Sequence, residues 1–238
     1  MSAEELKFFL STEQACSYLV ERQSASVFAD PEGAMTTEVY SVLINHGFRR
    51  SANYVYRPHC PYCDSCKPAR IPVATFKPSR NQKRVWKRNS NISISEAPAK
   101  FNEAHFQLYT KYIAQRHSGG EMDHTDRKKY IEFLASDWCD TVFYEFSLNE
   151  KLVAIAVTDI LKEGLSALYT FFDPDLQNRS LGTLGILWQI EKAKEMNKPW
   201  VYLGYWIAES EKMNYKKNFS PLEIWENNTW SDITTSER

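Results

Sequence analysis

The sequence predicts an α+β fold, a mixed sheet flanked by helices, with a smaller cysteine-containing module ahead of it. Three observations carry that expectation. Residues 166–172 (Ser-Ala-Leu-Tyr-Thr-Phe-Phe) are apolar and aromatic, as a buried strand requires, and Asp173-Pro174-Asp175 stops them. From Leu181 the apolar positions Leu184, Leu187, Trp188 and Ile190 recur at helical intervals until Asn197 and Pro199 end the run, and residues 200–206 read as another strand. Strand, acidic turn, helix and strand make a βαβ unit with a parallel pair. Residues 141–148 and 152–161 form two further strands joined at Asn149-Glu150, a hairpin signal, with Gly164 turning the chain into the central unit. The module ahead spans residues 1–75 and the sheet-and-helix domain residues 76–238.

In chain order, residues 6–9 and the segment around Cys16 open the first module, and Asp30-Pro-Glu-Gly33 is a turn. Thr36 or Thr37 caps a helix with Val39, Tyr40, Leu43 and Ile44 inward, closed by Gly47, and residues 53–57 are strand-like. Residues 71–76 read as a strand with proline near its start, which suits a sheet edge. Ser79 then opens a helix carrying Arg80, Lys83, Arg84, Lys87 and Arg88, and residues 92–96 alternate as a strand. Two helices follow, at 101–117 with Phe101, His105, Leu108, Tyr109 and Tyr112 inward, and at 126–136 with Tyr130, Phe133 and Leu134 inward. His105, His117 and His124 are expected to be structural or exposed, because no carboxylate is placed to orient them in the sequence.

Composition narrows the function. The 238 residues are 43% hydrophobic with a net charge of -1, so a nucleic-acid partner needs a local basic patch. No apolar run approaches the roughly 20 residues of a bilayer span. The start, Met-Ser-Ala-Glu-Glu-Leu-Lys, does not resemble a secretory signal, and a cytoplasmic location with no membrane partner is expected. Of five cysteines, three fall in Cys60-Pro-Tyr-Cys63-Asp-Ser-Cys66, unlike an extracellular disulfide framework.

The basic stripe is the local patch. Its five positions lie on one helical face, and like charges at that spacing repel by a few tenths of a kcal/mol per pair. A face that costs helix stability is better explained by a polyanion such as RNA than by solvation alone. The acidic turn is the second feature. Ligands enter such folds at the carboxyl ends of strands, where Asp173 and Asp175 would orient an amine or a ribose hydroxyl; turn and cap chemistry is the simpler alternative.

Residues 169–175 (Tyr-Thr-Phe-Phe-Asp-Pro-Asp), 180–182 (Ser-Leu-Gly), 202–207 (Tyr-Leu-Gly-Tyr-Trp-Ile) and 212–216 (Lys-Met-Asn-Tyr-Lys) resemble the C-terminal signature of arginyl-tRNA protein transferases, and more closely that of the bacterial branch, the aspartate/glutamate leucyltransferases. Residues 47–51 (Gly-Phe-Arg-Arg-Ser), 55–58 (Val-Tyr-Arg-Pro) and the basic run near residue 80 are similar in type and order, so the likeness covers most of the chain. The resemblance implies transfer of leucine from leucyl-tRNA to proteins beginning with Asp or Glu, an N-degron role, and a core like that of GCN5-related N-acetyltransferases. It also offers Cys16 as a fourth ligand beside Cys60, Cys63 and Cys66, whose two-residue spacing suits zinc or an iron-sulfur cluster.

Aminolysis of an ester needs no cofactor, because the ester is already activated and an α-amine with a pKa of about 7.7 to 8.0 is substantially unprotonated at neutral pH. Asp173 and Asp175 are the candidates for orientation, with Tyr169 and Tyr205 near the ester and Gln177 and Ser180 as weaker candidates. Arg80, Lys83, Arg84, Lys87 and Arg88 would hold tRNA, and Arg49, Arg50, Arg57, Lys212 and Lys216 are the cations available to read an acidic acceptor. Acetyl transfer from acetyl-CoA is the competing reading, as is arginine for leucine. Against acetyl-CoA, Ser180 stands where the diphosphate cradle would want its first glycine.

Overall fold

The computed structural model describes residues 6–116 and 126–233. His117 and His124 lie outside them. The first module is a four-stranded antiparallel sheet in the order β1-β4-β6-β5, built from β1 (Phe8–Leu10), β4 (Ser26–Ala29), β5 (Arg49–Ser51) and β6 (Tyr54–Pro58). A two-residue pair, β2 (Gln14–Ala15) with β3 (Gln23–Ser24), interrupts it, and helix α1 (Thr37–Ile44) packs upon it. Thr36 caps α1 by accepting from the Val39 amide, and Gly47 follows at φ +85°.

The second sheet has eight strands in the order β14-β13-β7-β12-β11-β10-β9-β8. Along the chain these are β7 (Lys67–Pro72), β8 (Ile92–Pro98), β9 (Thr141–Leu148), β10 (Lys151–Ile160), β11 (Gly164–Phe172), β12 (Trp200–Trp206), β13 (Glu223–Glu226) and β14 (Thr229–Asp232). Among the described residues β11 and β12 are its one parallel pair, as the βαβ reading requires, with helix α5 (Leu181–Glu195) as the crossover. Helix α2 (Arg80–Arg88) lies with α5 on one face, where Val85, Leu184, Leu187 and Ile190 meet Ile71, Ala156, Val201 and Leu203. Helices α3 (Glu103–Arg116) and α4 (Arg127–Leu134) cover part of the other face around Tyr109, Tyr130 and Phe171. The first module covers the rest, with Tyr40, Ile44 and Val55 against Leu161 and Tyr202.

Strand β7 departs from expectation. It is not an edge: it starts at Lys67 and runs between β12 and β13, so the sheet crosses the predicted 75/76 boundary. Only Ala69 and Arg70 pair with β13, leaving Pro68 and Pro72 outside the stretch flanked on both sides, where a missing N–H is tolerated. The β13–β14 hairpin is an element that the sequence pattern does not announce. Its turn, Asn227-Asn228, has φ of 50° and 58°, the left-handed region that asparagine tolerates. His105 does have a carboxylate partner, since its Nε2 lies 2.6 Å from Glu145 Oε1, but it is buried in the core.

Candidate active site

The parallel pair is short. Pairing runs only from Gly164↔Trp200 to Ser166↔Tyr202, after which β11 and β12 part. Each strand shifts register at that point: β11 against β10 at Val157/Thr158, and β12 against β7 at Tyr202/Gly204. A bulge adds twist and bends a strand away from its neighbour, so two opposed bulges open a wedge. Gly204 supplies the second at φ +79°, and a Cβ there would stand 3.4 Å from the Arg49 guanidinium. Arg49 fills the floor of the wedge, donating to the Ala167 carbonyl at 3.1 Å and the Tyr202 carbonyl at 3.4 Å, one on each parting strand.

The mouth lies at the carboxyl end of β11. Asp173 Oδ1 accepts from the Asp175 amide at 3.1 Å, so the turn-chemistry reading is correct as far as it goes. The same oxygen accepts from Lys111 Nζ at 2.5 Å, and Lys111 also donates to Asp175 Oδ2 at 2.6 Å. Lys151 adds a charge 3.7 Å from Asp173 Oδ2. Burial alone would raise the Asp173 carboxyl, but Lys111, the Asp175 amide and Lys151 outweigh it and hold the group below the usual carboxylate range. Lys111 and Gln115 do the same for exposed Asp175. Both are therefore ionised hydrogen-bond acceptors at neutral pH and poor proton acceptors. Lys111 carries no motif, and its role shows only once α3 is laid beside the turn.

Behind this mouth a 3-10 turn, Pro174–Arg179, leads into α5. Ser180 is left-handed at φ 53° and ψ 49°, and no side chain caps the helix. Gly182 packs closely on Phe172, since a Cβ there would stand 3.2 Å from the ring, which would have to give by a few tenths of an ångström.

The tyrosines are placed differently from expectation. Tyr205 is buried, and its hydroxyl donates to the Tyr56 carbonyl at 3.1 Å and the Gly47 carbonyl at 3.3 Å, so it straps the first module to β12 instead of facing an ester. Tyr169 packs among Tyr109, Tyr112 and Phe133 in tilted and edge-on ring contacts, and its buried hydroxyl has no hydrogen-bond partner among the described residues. Burial pushes both phenols up.

The acceptor candidates separate as well. Arg50 is spent on the fold: Nη2 lies 2.6 Å from Asp159 Oδ1, both side chains are 0% exposed, and further bonds reach the Leu134 and Ala52 carbonyls. Arg57 donates to the His46 carbonyl and stacks over Phe48. Lys212 is exposed on the short helix α6 (Glu211–Asn214). Lys216, in the 3-10 turn Tyr215–Asn218, is buried with its ammonium 2.5 Å from the Tyr205 carbonyl.

Helix α2 presents Arg80, Lys83, Arg84, Lys87 and Arg88 to solvent on one side and buries Gln82 and Val85 on the other. Ser79 and Gln82 cap it reciprocally, which offsets the cations at its N-terminus. Arg88 donates to the Asn178 carbonyl, Asn89 to that of Arg179 at 2.9 Å, and Gln82 to that of Asn218 at 2.9 Å. The basic helix is thereby fixed to the turns that follow both parting strands.

Cys16, Cys60, Cys63 and Cys66 line one cleft with Tyr56 and Tyr205. Burial, then the neighbouring Cys60, Cys16 and Cys63, push the Cys66 thiol up to about 12. Among the described residues no three or more His, Cys, Asp or Glu side chains are arranged to hold a metal ion, so these thiols share a cleft without forming a ready ligand shell. No helix of the described residues is long and apolar enough to cross a membrane.

Comparison with known proteins agrees with this architecture. A chain of the structure titled L-PGS from Bacillus licheniformis shares the fold over 72% of this chain and 62% of its own, at a TM-score of 0.50 and 11% identity. The aspartate/glutamate leucyltransferase of Nitrosococcus oceani is 49% identical over 225 residues, 94% of each chain, and that of Alcanivorax borkumensis 45% over 227 residues, 95% of this chain and 94% of its own. Residues 14–84 match the family described as arginine-tRNA-protein transferase, N terminus, and residues 104–226 its C-terminal counterpart. The chain belongs to the arginine-tRNA-protein transferase family.

Proposed function

We propose that this chain transfers leucine from leucyl-tRNA to the N-terminal amine of proteins beginning with Asp or Glu, marking them for degradation in the cytoplasm. The observation that carries the reading is the wedge between β11 and β12, with an acidic mouth at Asp173 and the basic face of α2 tied to its rim. Ionised carboxylates suit a terminal ribose, whose hydroxyls donate hydrogen bonds. The ester would lie along Ala167 to Thr170, the half-buried stretch of β11 beyond the parallel pairing. The cations of α2, with part-exposed Trp86 beside them, offer phosphate contacts and a stacking surface.

In the reaction the unprotonated α-amine attacks the ester carbonyl, the tetrahedral adduct collapses, and the ribose 3′ oxygen leaves with a proton as the new peptide bond forms. Positioning supplies most of the rate, because both reactants are already activated. Acetyl transfer is disfavoured by the left-handed Ser180 and by the packing of Gly182 on Phe172, which leave no glycine cradle for a diphosphate. The test is incubation of a peptide beginning with Asp with labelled leucyl-tRNA, arginyl-tRNA or acetyl-CoA. Transfer from leucyl-tRNA is expected to dominate. Preferential transfer from either of the others would overturn the assignment.

A further inference from the structure

Two buried cations stand where β11 and β12 part, and among the described residues neither is paired with a carboxylate. Arg49, 7% exposed, donates two of its five guanidinium N–H groups, to the Ala167 and Tyr202 carbonyls. Lys216, 4% exposed, donates to the Tyr205 carbonyl at 2.5 Å, lies 3.1 Å from Met213 Sδ, and has the Tyr215 ring 5.4 Å away. Carbonyl and sulfur dipoles solvate a cation but do not cancel its charge. Burial, followed by the positive charge of Arg49, pulls the Lys216 ammonium down to about 7. Ala167, Leu168, Tyr169 and Thr170, on β11 beyond the parallel pairing, are all half-buried.

Burying an ion without a counter-ion costs several kcal/mol. A fold that keeps two such cations together is built for an anion that arrives from outside. We propose that the side-chain carboxylate of an acceptor's N-terminal Asp or Glu docks between Arg49 and Lys216, completing the ion pair that the fold leaves open. This rests on the transferase reading and assigns acceptor specificity to these two residues. The planar Arg49 fork and the Lys216 ammonium suit a carboxylate and reject its amide, which would leave a cation unpaired.

The experiment compares peptides beginning with Asp and with Asn as acceptors, with leucyl-tRNA as donor, in wild type, Lys216→Met and Lys216→Arg. Wild type prefers Asp. Lys216→Met is expected to lower the Asp-to-Asn ratio of kcat/KM by about tenfold or more, chiefly through the peptide KM, with the KM for leucyl-tRNA unmoved and the melting temperature unchanged or raised. Lys216→Arg, which keeps a cation, is expected to hold more of the ratio than Lys216→Met. A wild-type ratio in Lys216→Met overturns the proposal. So does a clear fall in its melting temperature, which would make the lysine part of the scaffold. Wild-type enzyme that transfers to neither peptide overturns the transferase reading instead, a result separable from either.

Discussion

Arg49 and Arg50 are consecutive in β5 and both buried, yet Arg50 closes a structural knot and Arg49 lies where β11 and β12 part. The Arg50 guanidinium meets Asp159 and two carbonyls, so its charge is discharged inside the protein and its strand is tied to β10. Arg49 meets carbonyls only, beside a second buried cation. Burial does not distinguish structural from functional charge here; the counter-ion does. A charge with an internal partner holds the fold together, and one without is kept for a ligand.

The knot is the easier of the two regions to break. Arg50→Met leaves the Asp159 carboxylate buried with the Thr141 hydroxyl, and is expected to cost about 3–5 kcal/mol, seen as a lower urea midpoint. Asp159→Val added to it is expected to recover part of the loss; no recovery would mean that Arg50 works by packing and carbonyl contacts alone.

The floor responds to pH instead. The Lys216 value of about 7 in the folded chain lies below the 10.5 of an ordinary lysine, so between those values the unfolded chain holds the extra proton and stability rises with pH. The groups that set this are Arg49, which opposes the charge, and Cys66, which favours it when ionised, together with the neutral Tyr205 carbonyl and Tyr215 ring. From about pH 7.5 to pH 9 the wild type is expected to gain about 2 kcal/mol relative to Lys216→Met. Parallel urea midpoints for the two proteins across that window would refute it.

The smallest effect belongs to the exposed face of α2. Lys83→Gln and Arg84→Gln together are expected to weaken leucyl-tRNA binding several-fold and to flatten the salt dependence by about 0.7–0.9 for each phosphate that is no longer neutralised, with no change in melting. Filter binding at two salt concentrations reads this out. A slope identical to wild type would place the tRNA elsewhere.

Much of this is legible along the chain because it is local. The start of α2 at Ser79, the Thr36 cap and the periodicity of Leu184, Leu187 and Ile190 depend on neighbours three or four residues apart. The Asn227-Asn228 turn is equally local, but it joins strands of only four residues each, too short for their alternation to stand out. Lys111, by contrast, lies 62 residues from Asp173, and nothing in its helix sets it apart from other surface lysines. Tyr205 sits in a matched motif, yet its hydroxyl belongs to a module some 150 residues earlier in the chain.

The sequence by itself determined the strand–helix–strand unit, the basic stripe and the inventory of candidate cations, since periodicity, caps and charge spacing are short-range properties of the chain. Only the tertiary structure decided which cation has a partner. Placing β7 beside β12, bulging two strands apart and laying β5 beneath them brings Arg49 to carbonyls and Arg50 to a carboxylate. Partnership of that kind depends on contacts between distant segments, which local patterning does not encode.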